Sequence, residues 1–269
     1  MKLLCEILEI SRASYYAWCK RKDRPDPDQE RMKMILEAYQ ASFHSYGYRR
    51  IQIWIEANYG VKINHKAVLR LMNKLGIQSV ARKRKPNSQW GTSKSLHFYR
   101  NHLKRDFSAT KPNQKWTTDI TYIKTNQGWA YLCAIKDLYD GFIVGYKLGR
   151  RQSHALVTNT LKQAMQKEKV TDELILHSDQ GHQYSSQAYY VLTKAYKITP
   201  SMSRRGNCWD NAPIENFFGH LKQECLKQFD NLSFPEAKQV IDQYIHFFNY
   251  ERIQLKTKQA PFKLRCLSI

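Results

Sequence analysis

Between residues 113 and 200 the hydrophobic period of the sequence changes in a fixed order, and that order restricts the topologies open to the chain. Lys115-Trp-Thr-Thr-Asp-Ile-Thr-Tyr-Ile123 is dense in β-branched and aromatic residues, which suit a pleated, half-buried strand. Trp129 to Ile135 is a second such run. Phe142 to Leu148 is a third, entered through Asp140-Gly141, a hairpin-turn pair. Ser153 to Lys167 then switches to the helical period, with Leu156, Val157, Leu161 and Ala164 inward and Ser153 as cap. Glu173-Leu-Ile-Leu-His177 is a buried strand ending at Ser178-Asp179. Ser185 or Ser186 caps a further helix through Tyr189, Leu192 and Ala195.

The order β-β-β-α-β-α predicts an α/β fold: a mixed sheet with flanking helices in the ribonuclease-H-like arrangement. In that arrangement the first and fourth strands lie side by side, so Asp119 in one and Asp179 at the end of the other are expected to meet. Two neighbouring carboxylates repel unless a positive charge lies between them. A divalent cation resolves the repulsion, and Mg²⁺ prefers oxygen ligands with open water positions. A third carboxylate, Glu215, opens a helix for which Asn211 is the expected cap and Pro213 an early-turn residue. Ile214, Phe217, Phe218, Leu221 and Cys225 form its buried stripe, while Glu215, Gly219 and Lys222 share another face. The preceding Ser203-Arg204-Arg205-Gly206 reads as a basic active-site loop. Such a set suits in-line attack on a phosphodiester, with one metal activating the nucleophile and a second, about 3.5–4 Å away, stabilising the leaving oxygen. Asp140 and Asp210 look like turn or cap residues, and Asp137 is the strongest rival for a place near the sheet.

The partner follows from charge. Lys and Arg number 44 against 23 Asp and Glu, a formal net charge of +21. Such a surface repels itself unless a polyanion is a regular partner, and nucleic acid leads over an anionic membrane. No apolar run reaches the roughly 18–20 residues of a membrane span, and the acid-containing N-terminus does not read as a secretion signal. The six cysteines are scattered without a Cys-x-x-Cys pair, the pattern of reduced cytosolic thiols.

Four segments precede or contain the core: a short helical piece over 1–27, a helix-turn-helix-like region over 28–80, a basic linker over 81–112, and the core with a C-terminal helix over 113–269. In the second segment Asp28 is a candidate cap for a helix through Met34, Ile35, Ala38 and Tyr39. A second helix carries Ile51, Ile53, Trp54 and Ile55 and stops at Gly60. Asn64 caps a third, whose inward residues are Val68, Leu71, Met72 and Leu75 and whose outward face holds Lys66, Arg70, Asn73 and Lys74. An apolar back and a basic front fit a DNA major groove, and an ordinary solvated face is the bland alternative. In the linker, Arg82, Lys83, Arg84 and Lys85 suit phosphate contacts without base readout.

Trp116-Thr-Thr-Asp119-Ile-Thr-Tyr122, His177-Ser-Asp179-Gln-Gly181 and Asn211-Ala-Pro-Ile-Glu215-Asn-Phe-Phe resemble the DDE transposases of bacterial insertion sequences, in particular the second-reading-frame products of the IS-three group. The two aspartates are 60 residues apart, and Glu215 lies 36 beyond Asp179. Ser14-Tyr-Tyr-Ala-Trp18, Tyr46-Gly-Tyr-Arg-Arg50 and Phe248-Asn-Tyr-Glu-Arg252 extend the resemblance over nearly the whole chain. It implies a retroviral-integrase-like core with a five-stranded sheet, and Asp119, Asp179 and Glu215 as ligands of two Mg²⁺ or Mn²⁺ ions. It implies cleavage at the 3′ ends of element DNA and strand transfer by the freed hydroxyl. The expected partners are double-stranded DNA, further copies of the chain on that DNA, and the upstream-frame protein as a fusion, in the bacterial cytoplasm at the nucleoid; no membrane and no zinc module are expected. It also puts Asn249 and Arg252, at the end of a helix from Phe234, near the active-site side, with Arg204, Arg205, Lys222 and Arg252 as DNA contacts. A helix cap by Asn249 and a surface Arg252 remain the alternative. Two other functions stay open: a catalytically silent DNA-binding modulator, and an RNA-directed nuclease of the same fold.

Overall fold

The computed structural model of the chain describes residues 5, 7, 9–22, 26–79, 97–168, 170 and 173–267. Two compact units emerge, residues 1–41 with 46–78, and residues 42–45 with 79–269.

The first unit is helical: α1 (Arg12–Lys22), α2 (Gln29–Ala41), α3 (Tyr48–Tyr59) and α4 (His65–Lys74). Ile35 and Ala38 of α2, Ile51 and Ile55 of α3, and Val68 and Leu71 of α4 are fully buried, the i, i+3, i+4 stripes of helices packed around one core. Gly60 ends α3 at φ 67°, where a side chain would be strained, and its N–H bonds Glu56 O. The Asn64 side chain accepts from Lys66 N and so caps α4. Asp28 does not serve as a side-chain cap for α2; its carboxylate takes Arg70 at 2.6 Å and Arg31 at 3.3 Å. A guanidinium forms a stronger, charge-assisted bond than a backbone N–H, and it claims the acid.

The second unit is built on a five-stranded sheet: β1 (Lys115–Thr125), β2 (Gly128–Asp137), β3 (Ile143–Gly149), β4 (Ile175–Ser178) and β5 (Thr199–Met202) in the order β3-β2-β1-β4-β5. The first three strands form the expected antiparallel meander, with Trp116 opposite Asp137 and Thr125 opposite Gly128. β4 pairs parallel with β1, Thr117 opposite His177, and β5 pairs parallel with β4. This is the ribonuclease-H-like order. β5 carries no periodic signal: it has four residues and includes Pro200, which is tolerated because β5 is an edge strand.

α5 (His154–Lys167) and α6 (Gln187–Ala195) cap from Ser153 and Ser186 as the sequence predicts. α5 lies so close to β3 that a Cβ on Gly145 would stand 2.9 Å from Ala164 Cβ, so this glycine is required by the approach of helix to sheet. Trp116, Ile120, Cys133, Ile135, Val144, Leu156, Val157 and Leu161 fill that layer. α7 (Ala212–Glu224), α8 (Phe234–Tyr250) and the short α9 (Pro261–Cys266) complete the unit. The rings of Phe217 in α7 and Phe248 in α8 meet edge to face at 4.9 Å. Asn249 neither caps α8 nor faces a site: it is buried, and its amide both donates to Ile143 O and accepts from Ile143 N, pairing with the outer strand β3.

Part of the stretch expected to be linker docks on this unit. His97 N bonds Ser185 O at 3.1 Å, and Leu103 is buried. Arg82, Lys83, Arg84 and Lys85 lie outside the described residues. Among the described residues, no helix is long and apolar enough to cross a membrane, and Cys5, Cys19, Cys133, Cys225 and Cys266 are free thiols.

Asp137, the rival acid, and Asp140 serve the fold. Arg265 of α9 reaches Asp137 at 2.9 Å, Asp140 at 3.1 Å and Glu168 at 3.2 Å. Three acids share one buried guanidinium, and burial, with the Asp137 charge behind it, pushes the Asp140 carboxyl up to about 7. Arg265→Ala should cost about 3–5 kcal/mol, because it leaves buried carboxylates without a counter-charge; denaturant unfolding checks this. A carboxyl raised above its unfolded pKa keeps a proton that the unfolded chain has already lost. Stability should therefore fall as pH rises from about 4 to about 7, and Asp140→Asn should flatten that part of a stability–pH curve.

Candidate active site

The parallel pairing of β1 with β4 decides what can meet. Thr117 stands opposite His177, and two residues further on the strands carry Asp119 and Asp179 to the same level as β4 runs out. Asp119 is half-buried, and its Oδ1 accepts from Ile120 N at 2.7 Å. Asp179 lies exposed at the strand end, with Oδ1 accepting from Gly181 N at 2.9 Å. A Cβ on Gly181 would fall 2.9 Å from that same oxygen, so the residue after the Asp-Gln pair has to be small.

Glu215 arrives on the first turn of α7. Asn211 was expected to cap this helix with its side chain; instead its amide donates to Thr118 O at 3.1 Å. The bond is buried and ties the start of α7 to β1 one residue from Asp119. Its effect appears in the electrostatics. Burial, then the charges of Asp179 and Glu215, raise the Asp119 carboxyl well above its usual range, and Lys222 of α7 only partly offsets this. The Asp179 carboxyl is also raised, by the surrounding protein, against the pull of the Gly181 N–H and of His182. The three acids and Lys222 thus occupy one electrostatic neighbourhood. Among the described residues, no three Asp, Glu, His or Cys side chains already stand at the spacing of a closed metal cage. All-oxygen donors that repel one another are nonetheless the donor chemistry of a hard divalent cation.

Two buried acids nearby, Asp210 and Glu224, behave differently because several cationic donors grip each of them. Asp210 receives Arg204 at 3.0 Å and Arg105 at 2.7 Å and is held well below the usual carboxylate range, Arg204 contributing most. Burial opposes ionisation of Glu224, but His220 and Arg252 together keep its carboxyl low. Arg252 is thereby corrected as a DNA contact. It is 3% exposed, spans both Glu224 oxygens at 2.6 and 2.7 Å, and stacks on Phe248, so its donors are used inside the fold. His177 is also structural. Its ring nitrogens bond Ser201 Oγ at 2.8 Å and Ser203 Oγ at 3.1 Å, and burial lowers it to about 4, so it is neutral at pH 7 and links β4 to β5.

The remaining basic candidates fall in two places. Arg204 and Arg205 are exposed on the loop before α7. Lys66, Arg70, Asn73 and Lys74 are exposed along α4 of the first unit, with Arg70 held by Asp28 and Lys74 by Asp26. Sequence reasoning missed the Asn211 anchor and the double-arginine seat of Asp210. The only signal for the latter was the pair Arg204-Arg205 six residues ahead, which read as phosphate contacts.

Comparison with known proteins bears on the family and the fold. Residues 109–208 match the integrase core domain family, residues 215–266 a second family of integrase core domains, and residues 26–85 an HTH-like domain family. The putative transposase InsK of insertion sequence element IS150 from Escherichia coli is 39% identical over 257 residues, covering 95% of this chain and 89% of that protein. The transposase InsF of insertion sequence IS3A from Escherichia coli is 34% identical over 231 residues, 84% of this chain and 79% of that one. Among solved structures, a simian T-cell lymphotropic virus intasome in complex with a PP2A regulatory subunit shares the fold, at TM-score 0.53 and 16% identity, covering 80% of this chain and 74% of that chain.

The contrast between acids generates a stability test. Without divalent ions, Asp119→Asn should raise the melting temperature at pH 8, since it removes a buried charge facing two others. Asp210→Asn should lower stability by about 1–3 kcal/mol, at the small end because both arginines are partly exposed and screened. Thermal denaturation of the two variants in chelator reads both signs.

Proposed function

The chain belongs to the IS-three group of insertion-sequence transposases, whose core is retroviral-integrase-like, and on that premise we propose that Asp119, Asp179 and Glu215 are its catalytic carboxylates. Family membership makes it a polynucleotidyl transferase of DNA transposition. One observation carries the residue assignment: β1–β4 pairing sets Asp119 level with Asp179, beside the Thr118 carbonyl to which Asn211 ties the helix that bears Glu215.

The donor set fits Mg²⁺ or Mn²⁺, two per site, held by Asp119, Asp179 and Glu215. When bound, such ions lower the nucleophile's pKa and stabilise the leaving oxygen in attack by water and then by the freed 3′-hydroxyl. The protein's own contribution is placement. The Ile120 N–H fixes one oxygen of Asp119, the Gly181 N–H fixes one of Asp179, and the Asn211–Thr118 bond sets α7 and hence Glu215. Lys222, two turns along α7 from Glu215, supplies a cation for the phosphate. Arg204 and Arg205 border the same loop, Arg204 through the charge it keeps beside Asp210.

We read residues 28–80 as the DNA-binding domain and residues 113–269 as the catalytic domain, with Arg82, Lys83, Arg84 and Lys85 of the stretch between them as phosphate contacts. The substrate is double-stranded DNA, both element end and target. Two ends are handled together, so the working form is a multimer on DNA, in the bacterial cytoplasm at the nucleoid, with the upstream-frame protein as a fusion partner. On α4, Lys66 and Asn73 face solvent directly, while Arg70 and Lys74 must leave Asp28 and Asp26 to reach a phosphate.

Asp179→Asn should abolish cleavage and strand transfer of the inverted repeats flanking the gene while leaving duplex binding intact. Full activity in that variant removes Asp179 from the site. Lys66→Ala should weaken binding and flatten the slope of log K against log salt by about 0.9. A mobility-shift titration at several salt concentrations measures it, and an unchanged slope returns Lys66 to an ordinary solvated face.

A further inference from the structure

Trp209 is 70% exposed, more than any other described tryptophan, although indoles are usually well buried. Phe98 and Trp129 are also exposed, at 64% and 58%. What separates Trp209 from them is its mounting. It sits in the 3₁₀ turn Cys208–Asn211 directly before α7. On one side Asp210 is fully buried and grips Arg204, Arg105 and Asn101, with Arg204 N also donating to its Oδ2. Next along, Asn211 is buried and bonded to Thr118 O, one residue from Asp119. The exposed ring is therefore no product of a loose loop. Its backbone is clamped by two buried polar residues, six positions before Glu215.

We propose that Trp209 is a stacking platform for a nucleobase at the cleavage point. This rests on the reading of Asp119, Asp179 and Glu215 as the cutting site and goes beyond it by naming how the DNA is held there. The chemistry of the surroundings favours a nucleobase over a protein side chain. Arg204 and Arg205 stand exposed within five residues and attract phosphate, and a flat π-face beside a track of cations is how single-stranded nucleic acid is gripped without reading its sequence. A base that unstacks beside the scissile phosphate regains on the indole part of what it loses in the helix. Trp209 touches the base, not the reacting atoms, and so is a positioning residue.

The test uses the full chain and duplexes of its flanking inverted repeats, carrying 5-iodouracil singly at the positions on either side of the terminal phosphate. Irradiation in chelator should cross-link the protein at one of these positions, and the modified peptide should contain Trp209. Trp209→Ala should lose that cross-link, melt within about a degree of wild type because the ring is exposed, and cut paired ends about 5- to 150-fold more slowly. Trp209→Tyr should keep most of the rate, and a mismatch at the cross-linked position should restore much of the rate to Trp209→Ala, since the base is then already unpaired. A purely structural role would show neither the aromatic nor the mismatch rescue. Equal cutting by Trp209→Ala and wild type, or cross-links mapping only elsewhere, overturns the proposal while leaving the three-acid site standing. A Trp209 cross-link in a wild-type protein that never cuts with Mg²⁺ or Mn²⁺ does the reverse.

Discussion

The parallel register of β1 against β4 is the constraint on which the site depends. It sets Thr117 opposite His177 and so brings two aspartates of distant sequence to one level at the sheet's edge of order. Backbone hydrogen bonds enforce that approach against Coulomb repulsion. Core packing of Trp116 and Leu176 on the same two strands holds it, since both side chains are fully buried. A one-residue slip would send every side chain of β1 to the opposite face, taking Asp119 out of reach and Trp116 out of the core together. The hydrophobic pattern that specifies the fold thus also sets the approach of the two aspartates.

Arginine use divides the acids into two classes. Asp137, Asp140 and Glu168 share Arg265, Glu224 takes Arg252, and Asp210 takes Arg204 and Arg105. These pairs close the unit: α9 on the β2–β3 turn, α8 on α7, and the loop before α7 on residues 101–105. A guanidinium suits the task because its planar fork satisfies both carboxylate oxygens while staying charged. Among the described residues no such fork closes on Asp119. Lys222 acts on it only through Coulombic attraction and leaves the carboxyl raised. On the proposed assignment, stability is withheld where an oxygen ligand has to remain available.

The layer order, the meander and the helix caps were legible because each rests on local pattern: Ser153, Ser186 and Asn64 cap as their positions suggest, and strand composition places β1 to β4. The pairing of β1 with β4 was legible as a consequence of that order. What sequence could not show was which polar group answers which over long separations. Asn211 looked like a cap and bonds Thr118, 93 residues away. Asp28 looked like a cap and holds Arg70, 42 residues away. Arg252 looked like a DNA contact and is enclosed with Glu224. In each case a local role and a distant one were both chemically open, and tertiary packing, which no local pattern encodes, decided between them. β5 escaped because four residues with a proline carry no period.

On the assignment proposed above, a formal charge of +21 and three carboxylates at the cutting site pull a DNA phosphate in opposite directions. The long-range field is positive and raises the local concentration of duplex. Beside Asp119 the charges of Asp179 and Glu215 already oppose a further negative charge, and a phosphate would meet the same repulsion. On that same assignment, cations on α4 and the loop before α7 would hold the DNA backbone without a metal, while the acids would admit a phosphate only when divalent charge accompanies it. Under that assignment the protein would hold DNA without cutting it, and the metal, rather than affinity for DNA, would commit a bound end to reaction.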